Sequence, residues 1–306
     1  MKVAALDLGS NTFLLLVCDV IAGKITKIYQ DEIRVTKLGQ GVHAHRKFHP
    51  EALERADACL REFSQIIRSE KPERVLAMAT SAARDVSNGE ELFKLGNKHD
   101  IPIQIIPGHM EAEITFRGAT FDYADKKGVC IIDVGGGSTE VLALDDGGKP
   151  QGVSVDVGSV RLTEMFVTGH PVPKTEVKAI LDYTSKKFEE ARDHFPKGKL
   201  SKIVGVAGTP TTLAAVLQKK PYSDDLVHGY KIKAKVLRET LDKLASMDLE
   251  SRKTLVGMDP LRADVIVAGT AILYSALKAL KKDELVVSTR GVRYGVALHA
   301  AREERS

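Results

Sequence analysis

The densest set of chemically useful side chains lies in residues 128–140, GVCIIDVGGGSTE. An apolar run ends at Asp133, three glycines follow, and Ser138 and Thr139 lead to a second acid, Glu140. The apolar run is typical of a buried strand that ends at a turn. Glycines adopt backbone angles closed to other residues and let backbone N–H groups approach a ligand. N–H groups and hydroxyls in such a turn suit phosphate oxygens, and the two acids suit a divalent cation or a water molecule. A plain glycine-rich hairpin turn is the alternative.

The same arrangement occurs at the start of the chain. Residues 2–17, KVAALDLGSNTFLLLV, run from an apolar stretch through Asp7 to a Gly-Ser-Asn-Thr turn at 9–12, and then to another apolar stretch. A third turn, residues 205–212 (GVAGTPTT), follows an apolar run and opens a helical stretch. Two matched copies and a third turn favour phosphate binding over loops that only reverse the chain.

Composition indicates an ordinary globular chain. Its 306 residues leave room for two domains, and 43% of them are hydrophobic and 28% charged. No apolar run approaches the roughly 20 residues that span a bilayer, and the first residues lack a signal-peptide layout, so no membrane association is expected. Cys18, Cys59 and Cys130 are widely spaced and predict reduced core thiols of a cytoplasmic protein. A net charge of +4 is too mild to indicate nucleic acid. With no Trp and 5% aromatic residues, platforms for base stacking are also few, so nucleic acid is not an expected partner.

The order of predicted elements repeats once along the chain. Each half runs β–β–β–α–β–α–β–α, with extra helices in the second half, and the polar residues 122–127 separate the two. We therefore predict an N-terminal domain at residues 1–120 and a C-terminal domain at residues 121–306. The predicted fold class is α/β, with two domains that face each other across a cleft. A phosphate chain or a nucleotide would bind there, because ligands collect at strand ends and domain interfaces.

With both Asp–Gly turns placed, the sequence resembles the acetate and sugar kinase/heat-shock chaperone/actin superfamily. Within it, the chain is most similar to the Ppx/GppA family of exopolyphosphatases and guanosine pentaphosphate phosphohydrolases, in a short two-domain form. The resemblance implies two ribonuclease H-like, or actin-like, domains. It rests on blocks that follow in order over nearly the whole chain: DLGSNT (7–12), ATSAARD (79–85), Gly108 with Glu111 and Ala112, DVGGGSTE (133–140), GVAGTPTTLAA (205–215), VHGY (227–230), RADVIVAGTAIL (262–273) and VSTRGVRYG (287–295).

The resemblance also implies roles for individual residues. Glu111 lies where the family has its catalytic base. Asp7, Asp133 and Glu140 lie where the family has acids that bind a divalent cation, Mg²⁺ or Mn²⁺, with K⁺ as a further candidate. The positions that contact phosphate in the family are matched by Ser10, Asn11, Thr12, Arg84, Gly136, Gly137, Ser138, Gly208 and Thr209.

Four positions depart from the family pattern. Family members usually have His or Arg at the position of Leu14. They often have Ser at the position of Pro107, a second Glu at the position of Met110 and Glu at the position of Tyr294. Leu14 removes a polar contact near the first turn, and Tyr294 leaves the C-terminal contact open. These departures keep the predicted chemistry but leave the preferred ligand open.

Two of the assigned residues have a plainer interpretation from the residues alone. Glu111 is then a solvated helix acid, and Arg84 is a partner in a structural ion pair. The resemblance favours functional roles for both. Glu113, on the same helical stretch, is interpreted as a solvated acid. The serines lie in glycine turns without a paired His, which argues against a serine nucleophile.

Other polar groups are also ambiguous. His43, His45 and His49 have close spacing, but they lie in a polar loop without a neighbouring acid or Cys cluster. This setting favours solvated histidines over a metal site. The Lys- and Arg-rich helical stretches at 174–187 and 231–243 are interpreted as solvated faces, with a basic track for a long polyanion as the alternative.

The expected function is that of a Mg²⁺-dependent exopolyphosphatase. A water molecule activated by Glu111 would release terminal orthophosphate from inorganic polyphosphate without a covalent intermediate. Three alternatives stay open: the same reaction on guanosine pentaphosphate, a weakly catalytic sensor that binds guanosine tetra- or pentaphosphate or polyphosphate, and an ATP-dependent kinase of the wider superfamily. The blocks at 227–230 and 287–295 disfavour the kinase. Related proteins are often dimers, so a homodimer is also left open.

Overall fold

The computed structural model describes residues 1–84, 86–196 and 200–302, so that Asp85, at the end of the ATSAARD block, lies outside the described residues. The chain divides into two compact units. The first consists of residues 1–122 and the segment that begins at Arg290, and the second consists of residues 123–289. The sequence-based division assigns the C-terminal segment to the second domain. In the structure this segment belongs to the first unit, because its helix packs on the first sheet.

The first unit contains a five-stranded sheet with strands β1 (Lys2–Leu8), β2 (Thr12–Ile21), β3 (Lys24–Val35), β4 (Arg74–Ala79) and β5 (Ile103–Ile105). The strand order is β3–β2–β1–β4–β5. Strands β1, β2 and β3 form an antiparallel meander, whereas β4 and β5 run parallel to β1. The two parallel strands follow helical connections, as parallel pairing requires.

Strand β1 lies in the middle of this sheet and is buried on both faces. Ala4, Leu6 and Leu8 belong to one apolar cluster, whereas Val3 and Ala5 belong to another. Because alternate side chains of a strand point to opposite faces, one continuous apolar run supplies both clusters. The sequence accordingly shows an unbroken apolar stretch before Asp7.

Helices cover both faces of the first sheet. Helices α2 (Pro50–Glu70) and α4 (Glu90–Lys98) contribute to the cluster that contains Leu6. Helices α5 (Gly108–Ala119) and α13 (Val292–Ala300) contribute to the cluster that contains Val3. Two single-turn helices, α1 (Val42–His45) and α3 (Ser81–Arg84), lie in the connections. Helix α1 falls in a stretch predicted as a loop, and left-handed residues at both of its ends limit it to one turn.

The second unit contains a six-stranded sheet in the order β10–β11–β9–β6–β7–β8. Its strands are β6 (Val129–Val134), β7 (Thr139–Leu144), β8 (Pro150–Val155), β9 (Lys202–Val206), β10 (Lys231–Lys233) and β11 (Glu284–Val287). Strands β6, β7 and β8 form an antiparallel meander, and β9 and β11 continue the sheet in parallel with β6. The short edge strand β10 pairs antiparallel with β11 and was not expected from the sequence.

One large apolar core fills the second unit. Its helices are α6 (Ser159–Phe166), α7 (Lys174–Glu190), α8 (Gly208–Gln218), α9 (Asp224–Val227), α10 (Ala234–Ala245), α11 (Leu249–Lys253) and α12 (Ile266–Ala279), with single 3-10 turns at Arg192–His194 and Pro260–Arg262. Helix α12 is buried along most of its length and packs against α7 and α10. A helix that is apolar on all sides is expected at the centre of a core.

The two sheets share one connectivity. In each, three antiparallel strands come first in the chain, and two parallel strands extend the sheet from the first of the three. This is the ribonuclease H-like arrangement, and it confirms the predicted α/β fold class, with one such sheet in each compact unit. Within the part of the chain that the structure describes, no helix combines the length and apolarity needed to cross a membrane.

Helices α5 and α13 cross at unusually short range. A Cβ atom at Gly118 would lie 2.1 Å from Gly291 O, and one at Gly295 would lie 1.9 Å from Ile114 O. Only glycine tolerates backbones at this separation. Since α5 carries Glu111, the position of that acid depends on a helix from the far end of the chain.

A methyl group at Gly295 tests this close approach. We expect Gly295→Ala to lower the free energy of unfolding by about 2–3 kcal/mol, because overpacking a close contact strains both helices. Urea denaturation followed by circular dichroism measures the change. Gly108→Ala is the matched control, since the space around its Cβ position is open. We expect the control to change stability by less than about 0.5 kcal/mol, and equal losses in both variants would refute the packing argument.

Candidate active site

The two hairpin turns that the sequence singles out are built alike. In the first, Gly9 N–H donates to Thr12 O at 3.1 Å, and in the second, Gly135 N–H donates to Ser138 O at 3.0 Å. Each turn joins the first two strands of its own sheet. The matched copies in the sequence therefore correspond to matched backbone turns, one in each unit.

The carbonyl groups of the second turn are held from one side by helix α6. Arg161 N–H donates to Gly136 O at 3.0 Å, and Arg161 Nε donates to Gly137 O at 2.8 Å. Ser159 N–H holds the carbonyl just before Gly136 at 2.9 Å. In a planar trans peptide, the C=O and the N–H of the next residue point in opposite directions. The N–H groups of Gly136, Gly137 and Ser138 therefore point away from α6, as a phosphate-binding turn requires.

The carbonyl groups of the first turn are held in the same way by residues 36–39. Gly39 N–H donates to Ser10 O at 2.6 Å, and two successive N–H groups of this loop donate to Asn11 O, each at 3.0 Å. By the same peptide geometry, the N–H groups of Asn11 and Thr12 point away from the loop. In both turns, a neighbouring element holds the carbonyl groups and so sets the direction of the N–H groups, although the supporting elements differ.

The second turn packs closely against the residue that precedes helix α6. In the described residues, none of positions 135–137 has a positive φ, so the special backbone angles invoked for these glycines are not used. A Cβ atom at Gly158, at the start of α6, would lie 2.2 Å from Gly136 O. The turn and the start of α6 are therefore in backbone contact, which leaves no room for a side chain between them.

The two acids of the second hairpin lie directly opposite each other. Asp133 in β6 and Glu140 in β7 are register partners, and both side chains are buried. In the first hairpin, the register partner of Asp7 is Leu14. The second hairpin therefore carries a facing pair of carboxylates, whereas the first carries an acid opposite a leucine.

Two serine hydroxyls fix the carboxylate of Glu140. Ser138 Oγ and Ser154 Oγ both donate to Glu140 Oε1, each at 2.7 Å, because an ionised carboxylate can only accept. Ser154 lies in β8 as the register partner of Glu140 and has no role in the sequence interpretation. The hydroxyl proton of Ser138 is committed to Glu140. The backbone N–H of Ser138 is therefore the group suited to donate to a phosphate oxygen.

In the first unit, Arg84 and Glu111 form an ion pair. Arg84 Nη1 lies 2.8 Å from Glu111 Oε2 and also donates to Ile106 O at 2.8 Å. Glu111 lies in the first turn of α5, where its N–H donates to Pro107 O at 3.0 Å. The ion pair considered for Arg84 from the sequence is therefore present, and the phosphate contact assigned to Arg84 stays a prediction.

Burial raises the pKa of the Glu111 carboxyl above its usual range, because ionisation is unfavourable in a medium of low dielectric constant. Arg84 opposes this rise through its charge and its hydrogen bond. A buried carboxyl with a raised pKa and one charged partner is typical of a functional acid. By contrast, the side chain of Glu113 on the same helix is 44% exposed and pairs with Arg117. The structure thus distinguishes Glu111, which is buried, from Glu113, which is exposed, whereas in the sequence only the resemblance distinguishes them.

The third predicted turn joins β9 to helix α8. Ala207 precedes the helix with φ 71° and ψ −168°, a region almost restricted to glycine that costs on the order of 1–3 kcal/mol. A Cβ atom at Gly208 would lie 1.4 Å from Arg262 Nη1, so the guanidinium lies directly against the start of α8. Burial lowers the pKa of Arg262, while the charge of Asp259 opposes this shift. A guanidinium beside the positive end of a helix favours an anion at this point.

Arg262 and Arg161 are functional candidates that sequence reasoning missed. Arg262 lies inside a quoted sequence block, but nothing in the sequence shows that it reaches Gly208. Thr209, which was assigned a phosphate contact, directs its side chain towards α12, since a Cβ atom at Gly269 would lie 2.5 Å from Thr209 Oγ1. Its backbone N–H, at the start of α8, is the group available for such a contact.

Tyr294, one of the four departures, is part of the core of the first unit. Its ring stacks on Phe121 with 5.5 Å between ring centroids, and its hydroxyl donates to Asp31 Oδ2 at 3.0 Å. Arg293 binds the same carboxylate through hydrogen bonds of 2.7 and 3.0 Å. Burial raises the pKa of Tyr294, with the charge of Asp31 as a further cause. This tyrosine therefore attaches α13 to β3.

The other departures are also accommodated. Leu14 is half-buried opposite Asp7, and Met110 packs against the apolar cluster that contains Val3. Pro107 precedes α5, and its carbonyl accepts the N–H groups of the helix's first turn.

The three closely spaced histidines are exposed: His43 and His45 lie in α1, and His49 lies just before α2. Over residues 1–84, 86–196 and 200–302, no group of three or more His, Cys, Asp or Glu side chains is arranged to hold a metal ion. On the basic helices, Lys178 pairs with Asp182 and Arg238 with Asp242, one helical turn apart. Pairs of this kind are typical of solvated helix faces.

These features define a class of protein: two ribonuclease H-like units with matched Asp–Gly hairpin turns, a facing acid pair in the second unit and a buried, arginine-paired glutamate in the first. A sequence model of the Ppx/GppA phosphatase family matches residues 16–304. The chain is 34% identical over 317 residues to Exopolyphosphatase 2 of Mycobacterium tuberculosis, with 98% of each chain covered. It is 26% identical over 294 residues to a guanosine-5'-triphosphate,3'-diphosphate pyrophosphatase of Pseudoalteromonas atlantica, covering 96% of this chain and 57% of that one. The solved structure of the family member from Aquifex aeolicus aligns with a TM-score of 0.80 and 30% identity, over 100% of this chain and 99% of that one.

The chain belongs to the Ppx/GppA phosphatase family. The resemblance noted from the sequence blocks is therefore confirmed.

The raised pKa of Glu111 predicts a dependence of stability on pH. A group with a higher pKa in the folded than in the unfolded chain stabilises the fold below the unfolded pKa, and this stabilisation is lost as the pH rises through the folded pKa. Glu111→Gln cannot ionise and escapes that loss. We expect this variant to be more stable relative to wild type near pH 8 than near pH 4.

Guanidinium denaturation at both pH values measures the difference. Glu113→Gln is the matched control on the same helix, and we expect it to change stability by less than about 0.5 kcal/mol at either pH. A stability difference for Glu111→Gln that does not change with pH would show that burial of this carboxyl is not the cause.

Proposed function

We propose that this protein is an exopolyphosphatase that hydrolyses the terminal phosphoanhydride bond of linear inorganic polyphosphate. The buried Glu111 carboxylate carries the proposal, because a general base works best when its pKa is raised towards the operating pH. Within each hairpin turn, successive N–H groups point away from the element that holds its carbonyls, which suits them to bind an anion. Arg262 at the start of α8 supplies a further anion-binding group. Identity of 34% to an exopolyphosphatase supports the substrate class.

In this mechanism, Glu111 holds the attacking water by accepting a hydrogen bond from it. The water oxygen bonds to the terminal phosphorus as the bond from phosphorus to the bridging oxygen breaks. One water proton moves to Glu111, and the shortened chain leaves with the electron pair on its new terminal oxygen. Arg84 favours the ionised form of Glu111, and its other N–H groups are the donors that would meet phosphate. The reaction needs no covalent intermediate.

Asp133 and Glu140 would hold the divalent cation. Two facing carboxylates fit Mg²⁺, which takes few protein carboxylates and keeps waters and substrate phosphates as its other ligands, and Mn²⁺ accepts the same donors. When bound, the cation neutralises charge on the phosphate oxygens. The metal-binding role assigned to Asp7, which belongs to the first unit, stays a prediction. Ser154 fixes the orientation of Glu140 and so acts through that ligand.

Ser154→Ala removes one of the two hydroxyls that orient Glu140. We expect the Mg²⁺ concentration for half-maximal phosphate release to rise about tenfold, and the rate at saturating Mg²⁺ to stay within about twofold, as is usual for residues that orient a metal ligand. Titration of activity with Mg²⁺ measures both quantities. Ser201→Ala is the control, since the Ser201 hydroxyl only donates to Gly128 O at 3.3 Å. A loss of rate that added Mg²⁺ does not restore would refute the positioning role.

Guanosine pentaphosphate is the second candidate substrate. A relative of 26% identity is named for hydrolysis of this class of nucleotide. The same water attack on a terminal phosphorus would apply to it. A slow release of phosphate from polyphosphate, with fast release from the nucleotide, would establish this candidate. Binding of both without release of phosphate from either would indicate a sensor.

Glu111→Gln tests the base directly. We expect phosphate release to fall about a thousandfold, in the range that loss of a general base produces. Phosphate release with Mg²⁺ from long-chain polyphosphate and from guanosine pentaphosphate, measured in parallel, gives the rates. Glu113→Gln, a change of the same kind two residues away, is expected to stay within about threefold of wild type because its exposed side chain pairs with Arg117. Equal losses in the two variants, or full activity of Glu111→Gln, would overturn the assignment.

The cysteines fit the proposed cytoplasmic location. Cys18, Cys59 and Cys130 are all buried and free. Burial raises the pKa of each thiol to about 12, so they are protonated and unreactive at neutral pH. Unpaired structural thiols are typical of a reducing compartment.

A further inference from the structure

A cluster of exposed basic and imidazole side chains lies beside the first turn and has no role in the proposed chemistry. Its members are His43, His45, Arg46, Lys47 and His49, and we call residues 36–49, which contain them, the basic loop. Residues 35–50 contain no Asp or Glu. The chain as a whole has a formal net charge of only +4, so this stretch is a local excess of positive charge.

The basic loop is attached at one end to the first turn. Gly39 N–H donates to Ser10 O at 2.6 Å, and two neighbouring N–H groups donate to Asn11 O at 3.0 Å. A Cβ atom at Gly39 would lie 2.9 Å from Ser10 Cβ, so the two backbones are in close contact. The loop therefore begins against the turn whose N–H groups are proposed to bind phosphate.

At its other end, the basic loop is attached to the segment that follows Arg84. Ser87 N–H donates to Arg46 O at 2.9 Å, and Phe48 N–H donates to Asn88 Oδ1 at 2.8 Å. The basic side chains thus lie between two segments with proposed phosphate contacts, and all of them belong to the first unit.

Two buried apolar side chains hold the backbone of the basic loop in place. Val42 and Phe48 are buried in the apolar cluster that contains Leu6, whereas the charged side chains are exposed. Because the backbone is already ordered, binding of a ligand to these side chains costs less conformational entropy than binding to a mobile loop.

We propose that the basic loop binds the continuation of a linear polyphosphate chain whose end is bound at the first turn. This inference rests on the proposed function. A long polyphosphate presents negative charge at every unit, which matches a row of cationic and N–H donors. A nucleotide substrate ends after a few phosphates and offers a base for stacking, but Phe48, the aromatic residue of the loop, is buried. The loop therefore favours long chains over short ones.

The test compares substrates of two lengths. The variant is the double substitution Arg46→Gln and Lys47→Gln, and the substrates are polyphosphate of several hundred units and tripolyphosphate. We expect the KM for the long chain to rise about tenfold with kcat retained, and kcat/KM for tripolyphosphate to stay within about twofold, from the loss of two exposed charge contacts. The preference of the wild type for the long chain should also weaken with added salt, and less so in the variant.

Two controls accompany this comparison. Lys178→Gln with Lys235→Gln removes the same two charges from exposed positions on α7 and α10, whose side chains are 76% and 86% exposed, and should keep the wild-type preference. Arg46→Lys with Lys47→Arg keeps both charges and should also keep it. Thermal unfolding of each variant shows whether the fold is intact. If the double Gln variant does not fold, the single variants Arg46→Gln and Lys47→Gln replace it, each with about a threefold rise in KM.

The outcomes separate the two proposals. Wild type that releases no phosphate from any polyphosphate overturns the proposed function, and the basic-loop proposal with it. Active wild type with an unchanged chain-length preference in the Gln variants overturns the basic-loop proposal alone. Single-stranded RNA gives a further test. If it inhibits long-chain hydrolysis by the wild type as strongly as a competing polyphosphate does, and the Gln variants lose this inhibition, the basic loop is a general polyanion site and the proposal is overturned.

Discussion

Each hairpin turn depends on one constraint, the direction in which its carbonyl groups are held. A planar peptide places its N–H opposite its C=O. Once Arg161 and Ser159 in the second unit, and residues 36–39 in the first, bind those carbonyls, the next N–H groups must point the other way. The supporting elements are different in the two units, a helix N-terminus and a loop. The direction of the N–H groups is set in the same way in both units. This explains why the chain after each hairpin comes back to contact the turn of that hairpin.

The second theme is the cost of placing charge in buried positions. Burial disfavours the ionised forms of both Glu111 and Arg262, and a charged neighbour opposes the shift in each case, Arg84 for Glu111 and Asp259 for Arg262. Ala207 adds a strained backbone conformation at the start of α8. Groups that lower stability in the absence of a ligand are common at functional sites, because the ligand or the transition state supplies the missing interaction.

The two units keep the same fold but divide the chemistry. The second hairpin has facing acids and two serines that orient one of them, whereas the first has an acid opposite Leu14. The first unit supplies the buried glutamate, on a helix positioned by α13 through glycine contacts. Tyr294 reinforces that same attachment through Asp31. This residue near the C-terminus therefore acts on helix packing in the first unit.

The sequence by itself determined most strands and helices, the repeated Asp–Gly turns and the fold class. All of these follow from local periodicity and turn chemistry, which neighbouring residues encode. It also placed Glu111 and the acid pair through the resemblance. Only the tertiary structure decided that Ser154 meets Glu140, that Arg262 covers Gly208, that Arg84 pairs with Glu111 and that α13 belongs to the first unit. Those contacts join residues far apart in the chain, and they are fixed by strand register and helix packing, which no local pattern contains.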